Sequence, residues 1–254
     1  MNVEYLNRSG KPRLAYIYSP PSERGMKYPM AMFLGGYRSD MQGTKATYFE
    51  KQCQARGQAY LRFDYSGHGL SGGAFEDGTI GAWLDDAQDI FDHVSQGPAV
   101  LVGSSMGGWV GLLLALRRAG IVQGMVGIAA APDFTEQMYH ERLNDAQRQE
   151  LHEKGYFEVP NDYHQQPYKF TRNFYEEAKN HLLLNKSRSV DFSLRIIQGM
   201  KDEEVPWETA VKIQKTFSCA QSDIILIEDG DHRLSRPEDL EIIDKEIKSI
   251  SGIL

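Results

Sequence analysis

The sequence predicts an α/β protein with a mostly parallel central sheet and helices on both of its faces. Three observations carry that prediction. Short apolar runs alternate with stretches of helical period along most of the 254 residues, as strand–helix–strand units require. One apolar run, residues 99–102, meets Gly103-Ser104-Ser105-Met106-Gly107 and then a long apolar helical stretch, so strand, tight turn and helix follow without a linker. The alternation breaks once, at Pro132, and resumes near residue 194.

The elements follow in order. Residues 14–18 alternate as an early antiparallel strand, and 30–34 form an apolar strand ending in Gly35-Gly36. Residues 44–56 read as a helix and 59–63 as the next strand. Residues 79–94 carry Ile80, Trp83, Leu84, Ala87, Ile90, Phe91 and Val94 at helical spacing. The strand 99–102, the helix after Ser105 and the strand 122–128 come next. Residues 133–186 are polar, helical and rich in tyrosine and phenylalanine, with no strand expected to extend the sheet. The pattern closes with strand 194–198, helix 207–217, strand 224–227 and a helix from Pro237. The expected division is therefore a core of residues 1–132 and 187–254 and a helical cap of residues 133–186.

Bulk properties narrow the function. A net charge of −7 argues against a nucleic-acid partner. No apolar run reaches the ~18 residues that span a bilayer. Two distant cysteines, Cys53 and Cys219, give no disulfide framework. The first residues resemble neither a signal nor a transit peptide, and a cytoplasmic location is expected. Oligomeric state is left open.

The turn at 103–107 carries the chemistry. A Gly-x-Ser-x-Gly between strand and helix is a nucleophile elbow, in which flanking glycines allow a turn too tight for side chains and push the serine hydroxyl above the sheet. The same pattern at Gly69-Leu70-Ser71-Gly72-Gly73 runs into Ala-Phe-Glu-Asp-Gly, without a helix, so Ser71 is read as structural. A serine nucleophile needs a base, and the base an orienting carboxylate. In this fold they come in the order Ser, Asp or Glu, His, on loops at strand ends. Asp202 follows strand 194–198 and His232 follows strand 224–227. Glu203 and Glu204 are rivals to Asp202, but Val205-Pro206 after them starts the next helix. His93, His140, His152, His164 and His181 fall in helix-like or cap segments. His68, in a glycine-rich loop, is read as packing or turn hydrogen bonding rather than pocket lining. Oxyanion donors are expected at the backbone N–H groups of Met106 and Tyr37, with Gly36 as the fallback for the second. Gly36, Arg38 and Trp109 flank these positions and are expected to contact the substrate. Asp229, Asp231 and His232 lack further ligands of metal spacing, and neither a metal nor an organic cofactor is expected.

At these residues the chain resembles a known family. Arg62-Phe63-Asp64-Tyr65-Ser66-Gly67, Gly103 to Trp109, Gly199-Met200-Lys201-Asp202 with Val205-Pro206-Trp207, Asp231-His232-Arg233, and the loop from Gly36-Tyr37 through Met41-Gln42-Gly43-Thr44-Lys45-Ala46 look like those of the abhydrolase-type palmitoyl-protein thioesterases and acyl-glucuronide esterases. The resemblance implies the α/β-hydrolase fold, a helical cap after the sixth strand, and hydrolysis of small acyl esters or thioesters by Ser105, Asp202 and His232. Mitochondrial members carry a transit peptide, so a bacterial cytoplasmic relative is expected. The family's oxyanion loop has Pro or His where this chain has Gly35. Phe134, Tyr139, Tyr156 and Phe157 either line an acyl channel or pack the cap. Arg38 or Lys45 either binds an acidic leaving group or is surface charge. An aminopeptidase using cap acids such as Glu136, Glu141, Asp145, Glu150 and Glu153, and a non-catalytic binding protein, are the alternatives.

Overall fold

The computed structural model describes residues 2–95, 97–159 and 167–253. An antiparallel hairpin, β1 (Glu4–Arg8) and β2 (Lys11–Ser19), is followed by β3 (Met30–Leu34), α1 (Thr44–Ala55), β4 (Tyr60–Phe63), α2 (Ile80–Val94), β5 (Ala99–Ser104), α3 (Met106–Arg117) and β6 (Val122–Ile128). The next segment holds α4 (Phe134–Gln137) with one π-helical turn, α5 (Asp145–Glu153), a separate two-stranded ribbon of β7 (Tyr156–Val159) and β8 (Tyr168–Thr171), and α6 (Arg172–Ala178). The chain closes through β9 (Arg188–Ser189), β10 (Ser193–Gly199), α7 (Glu208–Thr216), β11 (Phe217–Ser218), β12 (Ser222–Ile227) and α8 (Pro237–Ile250).

Eight strands form one sheet in the order β1-β2-β4-β3-β5-β6-β10-β12. The β1–β2 and β2–β4 pairs are antiparallel and the others parallel. β5, with neighbours on both sides, is buried along its whole length, as a central parallel strand under two helical layers must be. Alternate side chains feed the two layers. Met32, Leu34 and Leu101 pack with Trp83 of α2 and Trp109 of α3, while Phe33, Val100 and Val102 pack with Phe49 of α1 and Ile243 of α8. α3 is apolar on nearly every side, which suits a helix covered by α2 and the inserted segment.

The strands and helices of the core fall where their hydrophobic period places them. β1 was not anticipated: its five residues are mostly solvent-facing and show no clean alternation. The segment at 133–186, expected to be helical with no strand extending the sheet, also holds β7 and β8, which pair antiparallel apart from the main sheet. Four-residue strands are too short for a two-residue period to stand out from helical noise. Among the described residues no helix is long and apolar enough to cross a membrane.

Candidate active site

The elbow is built by steric necessity. Ser105 has φ 54° and ψ −121°, a strained conformation costing about 1–3 kcal/mol that persists only where the surroundings enforce it. Its N–H donates to the Ile128 carbonyl (2.9 Å), and its carbonyl accepts from Gly108 (2.8 Å) and Ala131 (3.1 Å). A Cβ on Gly103 would lie 2.3 Å from the Gly107 carbonyl oxygen, and one on Gly107 2.1 Å from that of Leu34. Only hydrogen fits at either place.

Three strand ends converge on that serine. His232, in the loop after β12, sets its Nε2 3.1 Å from Ser105 Oγ and its Nδ1 2.8 Å from Asp202 Oδ2. Asp202, after β10, has no solvent-exposed side-chain surface. Its Oδ1 accepts the N–H groups of Glu204 (2.9 Å) and Val205 (2.8 Å), and Gln198 Nε2 donates to Oδ2 (2.8 Å). Burial raises the carboxyl pKa. The His232 hydrogen bond and charge, with the two backbone donors, outweigh it and hold Asp202 below its usual value. Gln198 escaped the sequence reading, since a glutamine at a strand end carries no motif. Glu204, the rival carboxylate, also reaches the histidine, but from the Nε2 side at 3.5 Å, half-exposed.

The residues expected to supply the oxyanion donors sit on the elbow helix and on the loop after β3. Met106 opens α3, and the first N–H groups of a helix have no partner within it. The loop after β3 runs against the elbow: a Cβ on Gly36 would meet that of Ser105 at 3.3 Å. Gly35 has room for a side chain, the nearest atom being Ser39 Cβ at 3.7 Å. Tyr37 turns its ring toward the inserted segment, stacking on Phe170 (5.1 Å, 6°), while its hydroxyl donates to the Lys169 carbonyl (3.4 Å).

Other expected contacts go elsewhere. Trp109 is fully buried, and its indole N–H donates to the His181 carbonyl (2.9 Å). It is therefore a core residue that holds the inserted segment, a correction forced by the direction in which α3 turns it. Arg38 lies over the Phe75 ring (4.5 Å) with Glu76 at 3.9 Å. Lys45 donates to the Arg233 carbonyl (2.5 Å) and Ser235 Oγ (3.4 Å), tying α1 to the histidine loop, and burial pushes its ammonium down to about 8. Phe157 packs on Phe170 (5.5 Å) and Tyr175 (6.0 Å), Phe134 on Trp109 (5.8 Å), Tyr139 on Tyr175 (6.0 Å), and Tyr156 against the Lys169 ammonium (4.0 Å). Phe134 thus ties the segment to α3, and the other four contacts pack the segment on itself.

Ser71 is structural in its contacts. It donates to the Asp64 carbonyl (2.6 Å) and accepts the Ala15 N–H (2.8 Å). Asp229 pairs with Arg236 (2.6 Å) and Asp231 accepts the Leu234 N–H (2.9 Å), so both carboxylates beside His232 are engaged. Glu136, Asp145 and Glu150 face His140, Arg148 and Lys154 on the helix surface. His164 lies outside the described residues.

A sheet of this order with a strained serine at the end of its central strand defines a class, and the sequence comparison agrees. Residues 36–241 match the model of the alpha/beta hydrolase family, and the chain belongs to that family. It is 37% identical over its full length to the mouse mitochondrial palmitoyl-protein thioesterase ABHD10, covering 85% of that protein, and 35% identical to the human one, covering 82%. Among solved structures, it is similar to a putative hydrolase from Agrobacterium vitis (TM-score 0.92, 38% identity, 99% of this chain and 100% of that one). The mouse alpha/beta hydrolase domain-containing protein 10 superposes with a TM-score of 0.87 at 35% identity, with the same coverage. The cytoplasmic expectation is corrected here, because the mouse and human relatives are named mitochondrial. The cysteines are free, but a reducing environment does not single out the cytoplasm.

Proposed function

We propose that this hydrolase cleaves carboxylic esters or acyl thioesters through an acyl-enzyme formed on Ser105. The observation that carries the reading is the unbroken chain of contacts from Ser105 Oγ through the His232 ring to the buried Asp202 carboxylate. His232 Nε2 takes the Ser105 proton as Oγ attacks the acyl carbon. The N–H groups of Met106 and Tyr37 hold the oxyanion, at a helix end that favours negative charge. As the intermediate collapses, the bond from the acyl carbon to sulfur or oxygen breaks and the leaving group takes the proton from Nε2. Water then attacks the acyl carbon, giving its proton to Nε2, and the second collapse returns that proton to Ser105 Oγ with release of the acid. Asp202 keeps the Nδ1 proton in place and stabilises the imidazolium.

The names of the mouse and human relatives support a thioester of a protein cysteine as the substrate class. The test is turnover of p-nitrophenyl esters and acyl-CoA thioesters from acetyl to palmitoyl, with wild type beside Ser105→Ala and Ser71→Ala. Ser105→Ala is expected to lower kcat about 10⁴-fold or more, and Ser71→Ala to leave it within about twofold. Equal activity in wild type and Ser105→Ala would sink the reading.

A further inference from the structure

His68 is a buried titratable group for which the mechanism above has no use. It is 3% exposed and sits in the loop Asp64-Tyr65-Ser66-Gly67-His68 after β4, beside the loop that follows β3. Its Nε2 accepts the N–H of Arg38 (3.3 Å), and its Nδ1 lies 3.2 Å from the Ser66 carbonyl. Only one arrangement of protons satisfies both neighbours: Nδ1 protonated and donating, Nε2 bare and accepting. The ring is held edge-on by Tyr65, Phe75 and Trp83, with centroids 5.0–5.5 Å away.

Arg38 is a meaningful place to grip. Its φ is 56°, a left-handed conformation that a non-glycine residue keeps only when held. It directly follows Tyr37, so the peptide plane that carries the Arg38 N–H also fixes the Tyr37 carbonyl and the course of the chain past Gly36. Two further bonds fasten the same loop from the C-terminal end of β4 and the residue after it. Asp64 Oδ1 accepts the Met41 N–H (2.6 Å), and Arg62 donates to the Met41 carbonyl (2.5 Å). Arg62 and Asp64 thus brace the loop at Met41, and His68 braces it at Arg38, the residue after Tyr37.

We infer that His68 is a positioning residue for the oxyanion site: its bare Nε2 holds the Arg38 N–H and so sets the Tyr37 backbone N–H against the acyl oxygen over Ser105. This rests on the serine-hydrolase reading above. Loss of one oxyanion donor costs about 10²–10³ in kcat, and a donor that stays in place but is loosely aimed loses part of that.

The experiment compares wild type, His68→Phe and His68→Gln on one p-nitrophenyl ester. It records kcat, KM, melting temperature and the inhibition constant of a trifluoromethyl ketone that forms a tetrahedral adduct with the serine. Phe keeps the ring packing and removes the acceptor; Gln returns an acceptor oxygen near the Nε2 position. The expected result for His68→Phe is a kcat lowered about 10- to 100-fold, KM within about threefold, and ketone affinity weakened in parallel with kcat/KM. His68→Gln is expected to recover at least half of the loss on a logarithmic scale. A His68→Phe enzyme with kcat within twofold of wild type overturns the inference and leaves the Ser105 reading standing. So does a loss that follows the melting temperature and is not restored by Gln. Ketone affinity unchanged while kcat falls overturns it as well.

Discussion

Ser71 and Ser105 share a motif and differ in what surrounds the hydroxyl. The Ser71 hydroxyl gives one hydrogen bond to the backbone and accepts one from it, so Ser71→Ala is expected to cost about 1–2 kcal/mol in urea unfolding with kcat unchanged. At the elbow the tolerance is narrower: Gly107→Ala drives a Cβ into the Leu34 and Gly35 carbonyls, which are backbone and not a flexible side chain that could yield. A loss of about 3 kcal/mol or more is expected, seen as poor soluble yield or an early urea midpoint. His68 sets a pH dependence. Burial pushes the imidazole down from 6.5 to about 4, against the Ser66 carbonyl, with Arg38 and Asp40 acting in opposite directions. Between those values the unfolded chain binds the extra proton, so stability falls as pH drops from about 6.5 to 4, by on the order of 3 kcal/mol, and levels off below. His68→Phe is expected to flatten that part of the stability–pH curve. Of the site, Ser105, Asp202 and His232 were legible because their positions at strand ends are a matter of order along the chain. Trp109 and Gln198 were not, because which way a side chain points from a helix or strand end is settled by packing between distant segments.

At the scale of elements, the inserted segment is fastened by a few polar contacts and many rings. Asp133, left-handed at φ 59°, accepts the N–H groups of Leu183 and Leu184, each at 2.8 Å. Glu177 accepts the Gly81 N–H at the start of α2 (3.1 Å) while pairing with His181 (2.5 Å). Asp133→Ala leaves the two leucine N–H groups without that carboxylate, and limited proteolysis is expected to cut within residues 133–186 sooner than in wild type, with the far-ultraviolet spectrum of the core retained. Cleavage at the wild-type rate would count against a fastening role. The ribbon of β7 and β8 escaped the sequence reading because Tyr-Phe-Glu-Val and Tyr-Lys-Phe-Thr fit a helix or a strand equally well. What selects the strand is the neighbour each finds across the pair.

The whole molecule depends on ties between parts far apart in sequence. Arg8, on the edge strand β1, reaches Asp86 (2.7 Å) and Asp89 (2.9 Å) of α2. The Asp86 carboxylate is nearly inaccessible and also accepts the Ser66 N–H (2.8 Å) and hydroxyl (2.6 Å). Arg8→Met strands that charge, and a cost of about 3–5 kcal/mol is expected, read as a lower urea midpoint at unchanged slope. The alternation of strands and helices foretold the sheet and its two layers, because each apolar run must be covered from both sides. The edge hairpin that Arg8 anchors was half-legible, since one of its strands is solvated. The bond pair from Asp133 to Leu183 and Leu184 has a consequence for how such proteins diversify. The polypeptide leaves and rejoins the sheet at one stapled junction, so the excursion between is a closed loop. Lengthening a closed flexible loop is cheap, about 0.6 kcal/mol per doubling. An exchange of this roof for a longer, shorter or unrelated one, with the staple kept, spares the Ser105–His232–Asp202 contacts themselves and requires repacking at Tyr37 and Trp109, which touch the roof, so new substrates can be sampled by swapping residues that take no part in bond breaking.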